Sequence, residues 1–452
     1  MISQRSTAPN TPNQPANATS QPAREDNIRA IVSYFESGIK PHETLGNVGI
    51  ELEHTIVRHD LSPVPYSGDA GVASVLEALS KDYPSITRDD AGDILGVARA
   101  GESITIEPAA QIELSAGPFA DLHRARDVFD NFEATLDREL TRIGAQALAT
   151  GYHPTARALD LELIPKRRYE LMNTYLSATD TCGPCMMRGS ASTQVSIDYI
   201  SVDDCLRKLR LACTIVPVLS LICDNSPVFE GVPRTKKLVR THIWNHMDAD
   251  RCGIVPGALS TSFTLEAYAA YILDTPAILV QDPATHEWVA DARTFGDIYA
   301  TRTMERADVE HALSMFFTDV RLKTYIEIRP ADTMPVPYAI AYAALIKGLF
   351  YNEHSLRALE QLIGEPTEED VVCAKHELMT HGYKARVYGS CVADICDDLL
   401  AIAHAGLPDD EREVIEPLET LVEARTTLAD ITERTGFLRA DSSVHEVEQR
   451  TN

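Results

Sequence analysis

Four short stretches of the sequence alternate apolar side chains with acidic or amide side chains. In the first stretch, VGIELEH, three apolar residues alternate with Glu51 and Glu53. Successive side chains of a β-strand point to opposite faces, so these two carboxylates share one face. The polar residues of the other three stretches (SITIEPAAQIELSAG, STQVSIDY and LKTYIEIRP) are Glu107, Gln111, Glu113, Gln194, Ser196, Asp198, Tyr325, Glu327 and Arg329. If the four strands pair, one face of the sheet carries the acids.

Such a concentration of glutamates requires a counter-charge. Any one of these stretches alone is typical of a half-buried strand with a solvated polar face. Glutamate is depleted in strands, and like charges on neighbouring strands destabilise a sheet, so the four stretches together predict bound cations. Carboxylate and amide oxygens suit Mg²⁺, and protein-bound Mg²⁺ usually also bridges substrate phosphates, which indicates a nucleotide such as ATP. The sequence has neither a GxxxxGK[ST] loop nor a GxGxxG loop after a strand, so nucleotide binding is inferred from the metal ligands alone.

The rest of the sequence predicts the elements that hold these strands. An amphipathic segment covers about residues 26–38, and apolar periodicity predicts helices at about 121–148 and 202–223. After about Pro335 the pattern is helical, with segments at 336–363, 368–380, 390–405 and 409–435. Strands interspersed with long helices, without a regular strand–helix–strand repeat, predict an α+β fold with a mostly antiparallel sheet. We expect one domain over 26–440 with a helical C-terminal third, and disordered tails at 1–25 and 441–452.

The composition limits the partners of the protein. The chain of 452 residues has 67 acidic and 41 basic residues and a formal net charge of −26, which disfavours nucleic acids and anionic membranes. No apolar run approaches the roughly 20 residues that span a bilayer, and the N-terminal residues lack the apolar stretch of a secretory signal. Nine cysteines, an odd number without a repeated spacing, favour a reducing compartment. We therefore expect a cytoplasmic protein, whose oligomeric state the sequence leaves open.

Several sequence blocks resemble one known family. The blocks are GIELEH, IEPAAQIELSAGP, RRYELMNTYL, TQVSIDYISVDDCLRKLRLA, NSPVFEG, VRTHIWNHMDADRCGIVP and VRLKTYIEIRPAD. In this order and spacing they are similar to the glutamate–cysteine ligases (gamma-glutamylcysteine synthetases) of plants and many bacteria. The resemblance covers about residues 46–350, and the C-terminal third matches only loosely.

The resemblance implies a role for each matching residue. Arg240 and Arg329 match two arginines that stabilise the charge developing on a transferred phosphoryl group. The resemblance also implies a catalytic fold like that of glutamine synthetase and the guanido kinases, in which the sheet curves into a metal-lined funnel. The implied ligands are Glu53, Glu107 and Glu113 for one Mg²⁺ and Glu51, Gln194 and Glu327 for a second.

The implied reaction has two steps. ATP phosphorylates the side-chain carboxylate of L-glutamate, and the amino group of L-cysteine attacks the acyl phosphate. The products are γ-glutamylcysteine, ADP and phosphate, the first step of glutathione-type thiol biosynthesis. The predicted residues suit this chemistry, because phosphoryl transfer depends mainly on positioning and on neutralising negative charge.

Four further residues lie in the matching blocks. Arg168 and Tyr169 are candidates for contact with ATP or glutamate, although a salt bridge at a helix start is an equal alternative. His242 and Trp244 either line the substrate site or pack beneath Arg240.

The chain departs from the family pattern in two places, which leaves the acceptor open. Ala109 and Ala110 replace a Gly-Gly pair, so a loop that needs positive φ there must be reshaped. Residues 189–193, ahead of Gln194, also differ. One alternative function is therefore a ligase that joins glutamate to another amine. A second is a non-catalytic, cation-binding or regulatory relative, which the presence of both arginines disfavours.

The sequence Cys182-Gly-Pro-Cys185 is a CxxC motif of the redox type. The strand-to-helix context of a thioredoxin motif is not evident around it. A pair of reduced loop thiols is one interpretation, and a regulatory disulfide is the other.

Overall fold

The computed structural model describes residues 21–42, 46–89 and 91–436. Its helices are α1 (Gln21–Glu36), α2 (Val72–Leu79), α3 (Leu122–Arg142), α4 (Arg167–Thr179), α5 (Val202–Ile222), α6 (Val239–Trp244), α7 (Leu265–Asp274), α8 (Phe295–Ile298), α9 (Arg306–Leu313), α10 (Val336–Phe350), α11 (Glu353–Ile363), α12 (Glu368–His381), α13 (Val392–Gly406), α14 (Glu416–Glu423) and α15 (Leu428–Thr435). Its strands are β1 (Val48–Arg58), β2 (Ser85–Arg88), β3 (Ile94–Arg99), β4 (Glu102–Ile106), β5 (Ile112–Phe119), β6 (Ala145–Leu148), β7 (Ser192–Ile197), β8 (Val228–Phe229), β9 (Val232–Pro233), β10 (Cys252–Gly253), β11 (Leu279–Gln281), β12 (Trp288–Ala290), β13 (Phe317–Thr318), β14 (Val320–Leu322), β15 (Ile326–Asp332), β16 (Arg386–Val387) and β17 (Ser390–Cys391).

A nine-stranded sheet organises the described residues. Its strand order is β14-β15-β7-β1-β5-β4-β3-β2, and β6 pairs with the far end of β1. All pairings in this sheet are antiparallel, which confirms the predicted α+β fold with an antiparallel sheet.

The apolar face of the sheet packs against helices. Ile50, Leu52, Leu114, Val195 and Ile328 alternate with the polar residues of their strands and are at most 1% exposed. Helices α3, α5 and α10 cover this face. Helix α10 is apolar on nearly every side and is buried along its length, as expected for a central helix. Burial of one face leaves the opposite face of the sheet for the polar side chains.

Three boundaries differ from the sequence predictions. The helix expected at 121–148 ends at Arg142, because Gly144 turns the chain with φ 69°, and Ala145–Leu148 forms β6 instead. The extended stretch at 103–117 is two strands, β4 and β5, joined by a turn. Helix α1 begins at Gln21, so residues 21–25 are helical rather than part of a tail. The remainder of the two predicted tails, 1–20 and 441–452, lies outside the described residues.

No helix in the described part of the chain is long and apolar enough to cross a membrane.

The predicted helix at 202–223 is confirmed as α5, which contains Pro217 and remains helical on both sides of it. The helical C-terminal third is confirmed over α10–α15, with the short β16–β17 hairpin inserted between α12 and α13.

Candidate active site

A cavity of about 690 Å³ lies over the polar face of the sheet. Strands β1, β5, β7 and β15, the turn between β4 and β5, and helices α4 and α6 all contribute to its wall. Ten of the twelve residues predicted from the sequence line this cavity: Glu51, Glu53, Glu107, Glu113, Gln194, Arg240, Arg329, Arg168, Tyr169 and Trp244. The remaining two, Glu327 and His242, do not line it.

The strand register places the acidic residues next to one another. Glu51 on β1 lies opposite Gln194 on β7 and Ser115 on β5, and Glu53 lies opposite Glu113. Burial and the neighbouring charges of Glu113 and Glu327 raise the pKa of Glu51 to about 8. Burial, with the acids beside it, likewise raises the pKa of Glu113 to about 8. Burial is thus the larger cause of both shifts, and the neighbouring carboxylates add to it.

The other two carboxylates of this group are also perturbed. Burial and the nearby Glu53 raise the pKa of Glu107 to about 7. Burial raises the pKa of Glu53, although its carboxylate accepts hydrogen bonds from the Ser192 backbone N–H and hydroxyl, both at 2.8 Å. Across the described ranges, no group of three or more histidine, cysteine, aspartate or glutamate side chains is arranged to hold a metal ion. The carboxylate and amide donors that line the cavity are nevertheless oxygens, the ligand type that Mg²⁺ prefers.

Glu327 lies behind the cavity wall and is fully buried. Its carboxylate accepts hydrogen bonds from Arg321 Nε at 2.7 Å, Arg329 Nη1 at 2.9 Å and Lys323 Nζ at 3.1 Å. Burial alone would raise its pKa, but these three cations hold the pKa well below its ordinary value. Glu327 therefore holds three positively charged side chains beside the cavity. One of them, Arg329, also donates a hydrogen bond to the side-chain oxygen of Gln194.

Arg240 projects from α6 and is held on two sides. Its guanidinium lies 4.4 Å from the centre of the Trp244 ring, and its Nε lies 3.4 Å from Asp332 Oδ1. The other oxygen of Asp332 accepts hydrogen bonds from the Asn225 backbone N–H at 2.8 Å and the Ser226 hydroxyl at 2.7 Å. These contacts fix the orientation of Arg240, whose buried Nε has no hydrogen-bond partner.

Arg168 and Tyr169, at the start of α4, reach the cavity. Arg168 Nη2 donates to the Ser314 hydroxyl at 2.7 Å, and Lys166 Nζ lies 4.4 Å from the centre of the Tyr169 ring. The alternative salt bridge at this helix start is made by the neighbouring Arg167 with Glu170 at 2.9 Å. Arg168 lines the cavity.

His242 was expected either to line the substrate site or to pack beneath Arg240, and it is not among the residues that line the cavity. Arg240 and Trp244 are four residues apart on α6 and share one helix face, whereas His242 lies two residues from each and faces away. Its ring packs at 5.7 Å from that of Phe229 and at 4.4 Å from that of His246.

Several cavity residues were missed by the sequence prediction. Arg321 and Lys323 alternate with Val320 and Leu322; Lys323 lies within the fourth alternating stretch, and extending that stretch by one residue upstream would have found Arg321. Tyr34, Arg306 and Glu310, which come from α1 and α9, also line the cavity. Nothing in the local pattern of those two helices indicates this role.

The loop at Ala109 and Ala110, which replace a Gly-Gly pair, has a positive φ at Ala110. Ala110 adopts φ 66°, the left-handed region, and its N–H donates to Glu107 O at 3.0 Å. This conformation costs an alanine about 1–2 kcal/mol. Gln111 holds the loop, because its Oε1 accepts from the Ala109 N–H at 2.9 Å and its Nε2 donates to Ser190 O at 3.0 Å.

An antiparallel sheet with buried carboxylates and arginines along one cavity is typical of an enzyme active site. Comparison with known proteins gives the family. The model of glutamate–cysteine ligase family 2 matches residues 47–443, and the chain belongs to this family. The resemblance predicted from the sequence blocks is confirmed.

The relatives are plant ligases and a bacterial ligase. The chloroplastic glutamate–cysteine ligase B of rice is 28% identical over 411 residues, which cover 88% of this chain and 81% of the rice protein. The chloroplastic enzyme of Arabidopsis thaliana is 28% identical over 399 residues, 86% of this chain and 74% of the relative. The structure of the glutamate–cysteine ligase of Francisella tularensis, solved in complex with AMP, matches with a TM-score of 0.57 at 15% identity, and the match covers 90% of this chain and 88% of that one. This last likeness shows a shared fold.

Proposed function

We propose that the protein is an ATP-dependent glutamate–cysteine ligase, which forms γ-glutamylcysteine from L-glutamate and L-cysteine through a γ-glutamyl phosphate. The observation that carries this proposal is the meeting of Glu51, Glu53, Glu107 and Glu113 with Arg240 and Arg329 in one cavity. The family membership of the chain supports the same activity.

The proposal assigns the carboxylates and Gln194 to Mg²⁺. Glu53, Glu107 and Glu113 would hold one ion, and Glu51 and Gln194 would hold a second with Glu327 close behind them. Bound Mg²⁺ neutralises the phosphate oxygens of ATP and so lowers the cost of charge in phosphoryl transfer. The raised pKa values of Glu51, Glu107 and Glu113 support this assignment, because burial disfavours their ionised forms and a bound Mg²⁺ would stabilise those forms and release the protons.

The arginines of the cavity would stabilise the transferred phosphoryl group. Arg329 and Arg240 present guanidinium groups held by buried carboxylates, so they need not reorganise when negative charge spreads over the phosphoryl oxygens. Arg168 and Tyr169 would contact ATP or glutamate at the same cavity. The amino group of the acceptor then attacks the γ-glutamyl carbonyl, and phosphate leaves.

Two further parts of the proposal follow from the family resemblance, and a third follows from the composition. The polar face of the sheet forms a metal-lined funnel in the manner of glutamine synthetase and the guanido kinases. The product supplies glutathione-type thiol biosynthesis. A cytoplasmic location stays a prediction from the composition, and the rice and Arabidopsis relatives are chloroplast proteins.

The experiment that tests this function is ADP release by the purified chain with Mg²⁺, ATP and L-glutamate. L-Cysteine is compared with 2-aminobutyrate and a panel of other amines, and product masses are recorded. We expect the fastest turnover with cysteine and the mass of γ-glutamylcysteine. Faster turnover with another amine would retain the ligase chemistry and change the acceptor, and ADP release that does not depend on glutamate would refute the proposal.

A further inference from the structure

A buried ion pair adjoins the two arginines of the active-site cavity. Lys375 Nζ on α12 donates to Asp319 Oδ2 at 2.5 Å, and the two residues are 5% and 8% exposed. Both line a second, small cavity of about 20 Å³ together with Arg240 and Arg329. Because the two arginines also line the larger cavity, the ion pair lies beside the part of the wall that carries them.

A three-residue segment that ends at Asp319 contacts the supports of both arginines. The Asp319 carbonyl accepts a hydrogen bond from the Arg329 backbone N–H at 3.1 Å. The Phe317 carbonyl accepts from Trp244 Nε1 at 3.0 Å, and the Trp244 ring packs against the guanidinium of Arg240. The segment thus fixes the backbone of one arginine and the aromatic ring on which the other lies.

Lys375 connects this segment to helix α12 in the C-terminal third. The other buried side chains of α12 are apolar: Val371, Ala374, Leu378 and Met379. The same helix contacts the second support, because the Met379 carbonyl accepts from the Lys237 N–H at 3.0 Å, two residues before α6 begins. Helix α12 therefore holds both the segment next to Arg329 and the start of the helix that carries Arg240.

The charge of Lys375 is not required for packing alone. A buried ion pair loses its hydration, and its replacement by apolar residues of similar volume is often neutral or stabilising. The pair instead supplies a directional, charge-assisted hydrogen bond, which fixes the Asp319 side chain in one place. Groups that stabilise developing charge must be held in place before the reaction, and this bond provides such a restraint.

We propose that Lys375 is a positioning residue, which through its ion pair with Asp319 holds Arg240 and Arg329 in the arrangement that phosphoryl transfer requires. Neither member of the pair lines the larger cavity, so both act through the arginines. The placement of the arginines stands on the contacts described above, whereas the effect on turnover rests on the proposed ligase function.

The first measurement follows Trp244 and does not depend on activity. The sequence has two tryptophans, so Trp288→Phe leaves Trp244 as the only indole fluorophore. In this background we expect Lys375→Met to shift the emission of Trp244 to longer wavelength and to increase its quenching by acrylamide. The physical reason is that the indole loses its fixed partner, the Phe317 carbonyl, when the segment is no longer anchored.

Lys347→Met is the matched control. Lys347 on α10 makes a buried ion pair with Glu411 at 2.9 Å, and neither residue lines the larger cavity. Both lysine substitutions leave a buried carboxylate without its partner, so urea unfolding should show a loss of stability in each. Only Lys375→Met should change the Trp244 emission.

The second measurement is turnover, made on chains that retain both tryptophans. We expect Lys375→Met to lower kcat by about tenfold or more, within the roughly 10²-fold that a misplacement of about 1 Å can cost, with little change in KM for ATP and L-glutamate. Lys347→Met should keep the wild-type kcat. The double variant Asp319→Asn, Lys375→Met removes both charges, so it should recover stability while its kcat stays low.

Each outcome decides one part of the proposal. A Trp244 emission that Lys375→Met shifts no more than Lys347→Met does would overturn the positioning role. A double variant that regains kcat together with stability would overturn it as well, since turnover would then follow the stability of the fold alone. If Lys375→Met does not fold by itself, the double variant is used for both measurements.

A shifted emission with unchanged kcat would overturn the effect on turnover. An inactive wild type would instead refute the ligase function, because the Trp244 emission reports the contact without any reaction.

Discussion

Replacing Glu51 with glutamine is expected to stabilise the fold while it removes the activity. The side chain of Glu51 lies at the centre of the carboxylate group, and its pKa is about 8 against an ordinary value of 4.5. A carboxyl whose pKa is raised by folding favours the folded state fully only below its unfolded pKa. That contribution is lost as the pH rises through the window from 4.5 to about 8.

The size of the effect follows from this window. Between pH 4.5 and pH 7, a range of about 2.5 pH units, the unfolded carboxyl is ionised while the folded carboxyl stays protonated. Each pH unit lowers the free energy of unfolding by about 1.4 kcal/mol, which gives about 3 kcal/mol at pH 7. Glu51 shares this penalty with Glu113, so glutamine at position 51 should raise the free energy of unfolding by about 1–3 kcal/mol at pH 7. The gain should shrink towards pH 5, because the unfolded carboxyl, whose pKa is 4.5, is also increasingly protonated there.

Urea unfolding at pH 5, 6, 7 and 8 without metal measures the gain, and ADP release measures the activity. Glu139→Gln on α3 is the matched control, because Glu139 is a buried glutamate outside the cavity and pairs with Arg142. The control should lose stability and keep its turnover. A Glu51→Gln protein that is less stable than the wild type at pH 7 would show that burial of this carboxylate does not destabilise the fold. A Glu51→Gln protein that retains wild-type kcat would show that the carboxylate is not used in the reaction.

Three further expectations concern the cations of the cavity. Arg329→Ala should lower kcat by about 10²- to 10³-fold, the usual cost of a lost preorganised donor, whereas circular dichroism and Mg²⁺ affinity should be retained because Glu327 keeps its contacts with two other cations. Calorimetry with Mg²⁺ distinguishes this result from that of a pure cation-binding protein, in which the substitution would have no functional effect. Asp332→Asn should free the Arg240 guanidinium from its ion pair and lower kcat by about tenfold, with a smaller change in KM. Asp332→Glu should recover part of this loss. If both variants changed only the folding stability, and by the same amount, the positioning role of Asp332 would be contradicted. Mg²⁺ should raise the thermal unfolding midpoint more at pH 8 than at pH 6, because the cavity carboxylates with raised pKa values must lose protons to bind it, and scanning calorimetry with Ca²⁺-free buffers would expose an opposite trend.

Much of the site was readable from the sequence, because the period of a strand is a local property. Glu51 and Glu53 share a face whatever surrounds them, and the same alternation placed Gln194 correctly once the strands paired. Helix periodicity also separates the two alternatives for His242, because a residue two positions from Arg240 along α6 does not share its helix face.

Other parts of the structure depend on contacts that sequence alone does not show. The α3 pattern continues past Arg142, and only the turn at Gly144 and the pairing with β1 convert the next residues into β6. The contribution of Arg306 from α9 arises from the packing of distant segments. The cationic environment of Glu327 similarly depends on the antiparallel turn from β14 to β15, which brings Arg321 opposite it.

The order of the strands in the sheet has a consequence for synthesis of the chain. Strands β1 and β5 are close in sequence and pair directly, whereas β15 reaches the sheet only through β7. A nascent chain that has released β1 and β5 therefore presents its carboxylates before the arginine of β15 has left the ribosome. Pairing over such long sequence separations is slow, and it leaves strand edges exposed in the meantime. Fragments that end before Val320 should consequently depend on chaperones or remain partly folded, so attempts to express this cavity as a shorter domain are expected to fail.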